Sequence, residues 1–450
     1  PADPWRSVRT FSEFPTRWSV CIPSMEIDLT LTATFDDQEF VTIIAKPSFW
    51  EGRVDVEGTV RGREVHGVGY IEVNGFNPLQ KLTQFFKRVG EEVRIRVRQV
   101  YPDHPTVEDG VRLIADDDHA YYVDGVDMET IDHNLLKPIR HISDQGGKSW
   151  RSYGALACIE IVGGDSRAYR DWLAMPEFMH VGSLVVDDFQ DKSELRRGVP
   201  CSHLVFGENV AINAGTAAYF QGQKMLTLPF LTDRQLVDVY DCYFLALRAG
   251  HAGQALDLAS LTHVMDSALD AEARGDKVNG SELIERRVIA IHRLKTAVPA
   301  GALARIGAIC GDADAEVIER VGRYFEAVGV AFQIMDDVLN LRGLYSTSAD
   351  RKGGQILKTV GEDLEEGKVT MPVAKAMSRV PYEDMCRMWA TIKSKPKDRK
   401  VIEGLIQELE DCGAIEACVK QAKDLVDNSW LELDAVVPDS FAKIMVRSFG

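Results

Sequence analysis

Two periods divide this chain. From about Met25 to Phe76 apolar and polar residues alternate: Met25, Ile27, Leu29 and Leu31 stand against Glu26, Asp28, Thr30 and Thr32, and Val54-Asp55-Val56-Glu57 repeats the pattern. A period of two puts every second side chain on one face, so this stretch predicts antiparallel strands with one covered face and one wet face. Arg61-Gly62 and Asp36-Asp37 stand where hairpin turns belong, which makes four strands. After about Asn134 the period becomes helical and stays so, in long segments rich in Ala, Leu, Glu and Arg with short Gly or Pro punctuation. The region between, 77–130, is mixed: an amphipathic helix near Leu79–Val89, a strand-like VRIRVRQV at 93–100, and polar loops. The pattern therefore predicts a mainly α protein. A small N-terminal antiparallel β module covers 1–76, a connecting region covers 77–130, and an all-α domain covers 131–450.

Composition narrows the class. A chain of 450 residues, 45% of them hydrophobic, can bury one large core or two unequal ones. No apolar stretch approaches the roughly 20 residues that span a bilayer, and no signal peptide is visible, so a cytoplasmic protein is expected. The chain begins at Pro1 rather than Met, which points to a processed or longer precursor. Eight scattered cysteines with no CxxC pair read as reduced thiols, not as a disulfide scaffold or a zinc site. A net charge of −17 argues against nucleic acid as a partner. Basic residues are then informative, because an anion pocket in an acidic chain has to concentrate them.

The chemistry centres on VDDFQDKSELRRG, residues 186–198. On a helix Asp187 and Asp191 are four apart and face the same way, with Asp188 one position round. Three carboxylates so close repel one another unless a cation sits between them. Hard oxygen ligands with open positions suit Mg²⁺, which keeps waters and takes phosphate oxygens. A lone cluster of this kind reads best as a solvated acidic face. This one has a counterpart in Gln333-Ile334-Met335-Asp336-Asp337, with Asn340 one turn on from Asp336. Cations accompany both: Arg196 and Arg197 after the first cluster, Lys148 and Arg151 in GGKSWRS, and His180 two turns before Asp187. Lys295-Thr296 lies in a third segment, and Lys358 and Lys368 flank GEDLEEG. Arginine forks and lysine point charges both suit diphosphate oxygens.

Together, LLKPIRHISDQGGKSWRS, EFMHVGSLVVDDFQDKSELRRG, AFQIMDDVLNL and GEDLEEGKVTMP make segment 132–380 resemble the trans-prenyl diphosphate synthases. The resemblance is to the eukaryotic geranylgeranyl diphosphate synthase type, and also to the prenyltransferase halves of fungal bifunctional terpene synthases. It implies an isoprenoid synthase helical bundle around a deep cavity, acting as a homodimer. Asp187, Asp188, Asp191 and Asp336 would hold Mg²⁺ on an allylic diphosphate. Arg196, Lys295, Thr296, Gln333, Lys358 and Lys368 would bind that substrate. Lys148, Arg151, His180 and Arg197 would bind isopentenyl diphosphate. The stretch from Leu341 to Lys358 is longer than the family's usual loop, and the second motif reads DDVLN, as is usual for the eukaryotic type. The small Ser183 and Gly182, four and five residues before the first aspartate, would leave the chain cavity open, with Met179 and Phe178 in its wall. Geranylgeranyl diphosphate is the product this implies. FWEGRVDVEGTVRGREVHGVGYIEVNGF is similar to the closing strands of lipocalin-like domains in the carotenoid hydratase and tocopherol cyclase group. At 1–76 this module is too short for a whole barrel and is expected to pack on the helices or on a partner.

The ionisation machinery implied here serves more than one reaction. Chain elongation is expected, because the residues for a second, non-allylic diphosphate are all present. The alternative is a class I terpene cyclase, a sesquiterpene or diterpene synthase acting on farnesyl or geranylgeranyl diphosphate. The NDxxSxxxE motif of such cyclases is absent. A non-catalytic partner subunit is the third reading, against which all the aspartates are retained.

Overall fold

The computed structural model describes residues 4–41, 48–74, 82–115, 117–147, 149–275, 279–343 and 360–448. Lys148 and Lys358 lie outside the described residues. The chain divides into two units. Pro1–Arg196, Pro200–Met225 and Pro438–Ser448 form the first; Arg197–Val199 and Leu226–Val437 belong to the second.

The first unit opens with a short antiparallel pair, β1 (Trp5–Arg6) and β2 (Glu13–Phe14). A five-stranded antiparallel sheet follows: β3 (Arg17–Ile22), β4 (Ile27–Ala33), β5 (Glu39–Val41), β6 (Ser48–Val60) and β7 (Arg63–Asn74). The alternating pattern forms strands as expected, and Arg61 (φ 51°) with Gly62 (φ 73°) makes the two-residue turn between β6 and β7. Asp36-Asp37 is not a hairpin turn. β4 and β5 both pair with β6, at residues 54–60 and 48–50, so they lie end to end along one edge. Gln38 bridges the gap: its Oε1 accepts the Arg53 N–H at 2.8 Å and its Nε2 donates to the Arg53 carbonyl at 3.1 Å. Gly52 makes room, since a Cβ there would stand 2.1 Å from Gln38 Oε1. Phe14, Trp50 and Val54 form the module's core, with Trp5, Trp18, Leu31, Val56, Ile71 and Val73 packed round it.

Helices α1 (Leu82–Val100), α2 (Val107–Ile114), α3 (Met128–Ile131), α4 (Lys137–Ser143), α5 (Trp150–Ile161), α6 (Met175–Gln190), α7 (Ser202–Phe206) and α8 (Glu208–Lys224) complete the run of this unit. The strand-like VRIRVRQV belongs to α1. Phe85, Val89, Val93 and Val97 are all buried at a spacing of four, so a helical stripe overrides the local alternation of Val and Arg. The module and the helices share a core: the buried Phe11 ring meets Phe85 of α1 at 5.5 Å and Tyr153 of α5 at 5.8 Å, both edge-on. Ion pairs surround it, with Arg6 on Glu92 at 3.5 Å, Arg9 on Glu160 at 3.5 Å and Arg167 on Asp37 at 3.2 Å. Burial raises the Glu92 carboxyl, but Arg170 and Arg96 outweigh it and hold it below the usual carboxylate range.

The second unit contains α9 (Asp233–Ala259), α10 (Thr262–Ala273), α11 (Gly280–His292), α12 (Val298–Cys310), α13 (Ala315–Arg342), α14 (Glu362–Glu365), α15 (Met371–Ala376), α16 (Tyr382–Lys393), α17 (Arg399–Asp411) and α18 (Ala414–Asp434). Thr232 and Gln235 form a capping box that starts α9, and Asp314 caps α13 by accepting the Val317 N–H at 2.9 Å. α12, rich in Ala and Gly and almost wholly buried, packs between α9 and α13, and α18 lies along α13. A last helix, α19 (Phe441–Arg447), returns to the first unit against α5. Among the described residues no helix is long and apolar enough to cross a membrane. None of the eight cysteines, all of them among the described residues, forms a disulfide.

Candidate functional site

In the first unit the acidic cluster ends α6. Phe178, Met179, Val181 and Val185 bury one side of this helix, and Asp187 and Asp188 occupy its last turn. Asp191 is the C-cap, exposed, with its N–H on the Asp187 carbonyl at 2.8 Å. Asp188 turns inward and is 1% exposed. Its Oδ1 accepts the Arg196 Nε–H at 2.9 Å, while its Oδ2 is buried and accepts no hydrogen bond. Burial lowers the Arg196 pKa, but the pairing with Asp188 outweighs this and raises it. The neighbouring Cys201 thiol is pushed up to about 12, by burial first and by Asp188 second.

The three aspartates therefore do not converge as the sequence pattern suggests. Among the described residues no three His, Cys, Asp or Glu side chains are gathered to hold a metal ion. Asp188 is neutralised by Arg196, and Asp191 lies past the end of the helix. The donor set still fits Mg²⁺, which is commonly held by one or two carboxylates together with waters and phosphate oxygens. The orphaned Oδ2 of Asp188 is an acceptor with no protein partner.

The other predicted residues of this stretch are spread over several elements. Arg151 stands in the first turn of α5 with its guanidinium 4.5 Å from the Trp150 ring centroid, and His180 is half-buried on α6. Arg197 (φ 51°) and Gly198 (φ 83°) make a left-handed turn. Gly182 faces α8: a Cβ there would stand 2.6 Å from the Gly215 carbonyl oxygen and 3.0 Å from the Ala218 Cβ. Its smallness lets two helix backbones approach and does not open a chain cavity. Ser183 is exposed and its hydroxyl donates to the His180 carbonyl at 2.8 Å.

In the second unit, α13 carries Gln333, Asp336, Asp337 and Asn340, the first three half-buried and the last 2% exposed. Asp337 accepts the Met371 N–H at 2.8 Å, capping α15, and the His292 Nε2 lies 3.6 Å from the same oxygen. Burial pushes His292 down to about 4 against the opposing charges of Asp257 and Asp336, so the imidazole is neutral at neutral pH. Lys295 pairs with Asp257 at 2.7 Å, and Thr296 beside it is buried. Both belong to a π turn, Arg293–Ala297, between α11 and α12. Such bulges re-aim side chains within a helix. Two glycines make room for it. A Cβ on Gly253 of α9 would stand 2.4 Å from the Lys295 nitrogen, and one on Gly329 of α13 would stand 2.7 Å from the Ala297 Cα. Lys368 follows α14 and pairs with Glu366 at 2.6 Å.

The structure thus gathers Asp257, His292, Lys295, Asp336 and Asp337 round one region of this unit. Sequence reasoning missed Asp257 and His292. His292 is three residues before Lys295, a helical spacing that marks it, whereas nothing in the local sequence distinguishes Asp257.

A family model described as polyprenyl synthetase matches residues 132–409, and one described as AttH-like matches residues 1–76. The short chain isoprenyl diphosphate synthase of Methanothermobacter thermautotrophicus is 31% identical over 296 residues, 65% of this chain and 81% of that protein. The geranylgeranyl diphosphate synthase of Methanosarcina mazei is 29% identical over 306 residues, 67% of this chain and 84% of that protein. Among solved structures, the geranylgeranyl pyrophosphate synthetase of Pyrococcus horikoshii superposes with a TM-score of 0.62 at 25% identity, covering 82% of this chain and 97% of that one. The geranylgeranyl pyrophosphate synthase of Corynebacterium glutamicum, complexed with isoprenyl diphosphate and magnesium, gives 0.61 at 22% identity, covering 81% and 97%.

Proposed function

The chain belongs to the polyprenyl synthetase family, and from that premise we propose that it condenses an allylic diphosphate with isopentenyl diphosphate to give geranylgeranyl diphosphate, with Mg²⁺ as cofactor. The observation that carries this reading is the buried Asp188–Arg196 pair with its one uncommitted carboxylate oxygen. It sets an acceptor for a cation beside a guanidinium suited to phosphate oxygens. The neutral His292 adds to it, since an uncharged imidazole brings no positive charge of its own beside Asp337. The synthases of Methanothermobacter and Methanosarcina support elongation over cyclisation.

In this reading Asp187, Asp188 and Asp191 of the first unit, and Asp336 of the second, would each supply a carboxylate to metal ions, which would lend positive charge to the leaving diphosphate. Arg196, Lys295, Gln333 and Lys368 bind the allylic diphosphate, and Arg151, His180 and Arg197 bind isopentenyl diphosphate. The allylic C–O bond breaks with its electron pair passing to diphosphate. The isopentenyl double bond attacks the cation, and the proton then lost passes to the released diphosphate. Apolar residues on the buried side of α6 keep water from the cation. Incubation with Mg²⁺ and farnesyl diphosphate, with and without isopentenyl diphosphate, tests the proposal. Geranylgeranyl diphosphate is expected only when both substrates are present. A cyclic hydrocarbon from farnesyl diphosphate alone makes the protein a cyclase, and no turnover of either kind makes it a partner subunit.

A further inference from the structure

Asn340 lies one turn beyond Asp336 and Asp337 on α13, where a third carboxylate would complete an acidic face. It does not present a ligand. Its side chain is 2% exposed, and its Oδ1 accepts the Asp363 N–H at 3.3 Å. Its carbonyl accepts the Gly361 N–H at 2.8 Å, so one residue holds the start of α14 at two points. From there the chain of contacts runs to a cation. The Asp363 carbonyl accepts the Lys368 N–H at 2.9 Å, and the Lys368 ammonium lies 2.6 Å from Glu366 and 4.0 Å from Asp363. Gly361 lets the turn start close to α17: it has φ 83°, and a Cβ there would stand 2.4 Å from the Ile402 side chain. The Nδ2 of Asn340 is buried without a partner. The side chain is thus committed through its acceptor and has a donor, not a lone pair, at its other end.

We propose that Asn340 is a positioning residue which, by hanging the Gly361–Lys368 turn from α13, fixes Lys368 for the allylic diphosphate, and that it is not a ligand of the metal. This rests on the reaction proposed above. Loss of the acceptor lets the turn shift and weakens diphosphate binding through Lys368 alone.

The test compares Asn340→Leu, Asn340→Asp, Lys368→Ala and the double variant Asn340→Leu/Lys368→Ala. Asn340→Leu keeps the volume and removes the acceptor, and should raise KM for the allylic diphosphate about tenfold, the effect of one lost hydrogen bond to a substrate-holding segment. The magnesium concentration for half-saturation should not move. Asn340→Asp keeps an acceptor in place and should restore KM, again with the magnesium requirement unchanged. The double variant should bind no worse than Lys368→Ala, because two residues acting through one contact are not additive. A magnesium requirement that rises in Asn340→Leu and falls in Asn340→Asp makes Asn340 a ligand and overturns the inference, as do additive effects with Lys368→Ala. The affinity for inorganic diphosphate with Mg²⁺, measured by calorimetry on the same proteins, should follow the same pattern. A wild type that makes no prenyl product defeats the proposed reaction, and the inference is then judged on the diphosphate affinities.

Discussion

Asp187 and Asp188 are adjacent in sequence and differ in what holds them. Asp188 is buried and carries Arg196, whose side chain is only about a third exposed. Removing the carboxylate strands a guanidinium, so Asp188→Ala should cost about 1–3 kcal/mol of stability as well as turnover. Asp187 is half-buried on the polar side of the helix. Asp187→Ala should abolish turnover while leaving stability within about 0.5 kcal/mol of wild type. Urea midpoints for the two variants check this, and equal stabilities would show that the pair with Arg196 is not a structural contact. The residue types and their spacing were legible in the sequence. Which carboxylate turns inward was not, because that depends on where Arg196 arrives after the chain has left the helix.

At the scale of the element, α6 and α8 meet at glycines: Gly182 and Gly215 each stand where a Cβ would press on the other's carbonyl, at 2.6 and 3.0 Å. Packed helices do not readily yield to an inserted atom, so Gly182→Ala should destabilise the protein by roughly 1–3 kcal/mol. Gly182→Phe should give misfolded or inactive protein. A folded Gly182→Phe enzyme making a shorter product would restore the expectation that this position faces the growing chain. Helix α1 likewise owes its form to what it packs against. The alternation VRIRVRQV is a strand signal over eight residues, but Phe85, Val89, Val93 and Val97 extend it into a helical stripe that buries against the unit's core. A longer window outvotes a shorter one, because tertiary burial decides local ambiguities.

At the scale of the whole molecule, the β module is joined to the helices by a shared core. Phe11 sits between Phe85 and Tyr153, and Arg6, Arg9 and Asp37 pair with charges on the helical side. Deleting residues 1–76 should lower the urea midpoint and the soluble yield while leaving product chain length unchanged. Phe11→Ala, which removes one ring from that core, should by itself cost about 3–5 kcal/mol. A truncation as stable as the full chain, or one that makes a different product, would show that the module is independent or shapes the reaction.

The sequence by itself determined what local periodicity and spacing can determine: the β module, the helical remainder, the two aspartate pairs, and the family to which their order belongs. Helical spacing is fixed by the backbone, so Asp187 and Asp191, or Asp336 and Asn340, share a side whatever surrounds them. Only the tertiary structure decided what lies opposite. It set β4 and β5 end to end on one strand, put Gly182 against α8, brought Asp257 and His292 to Lys295, and made Asn340 the support of a distant turn. Each of these joins residues from different elements, and such pairings follow from which apolar faces pack together, which no short window of sequence contains.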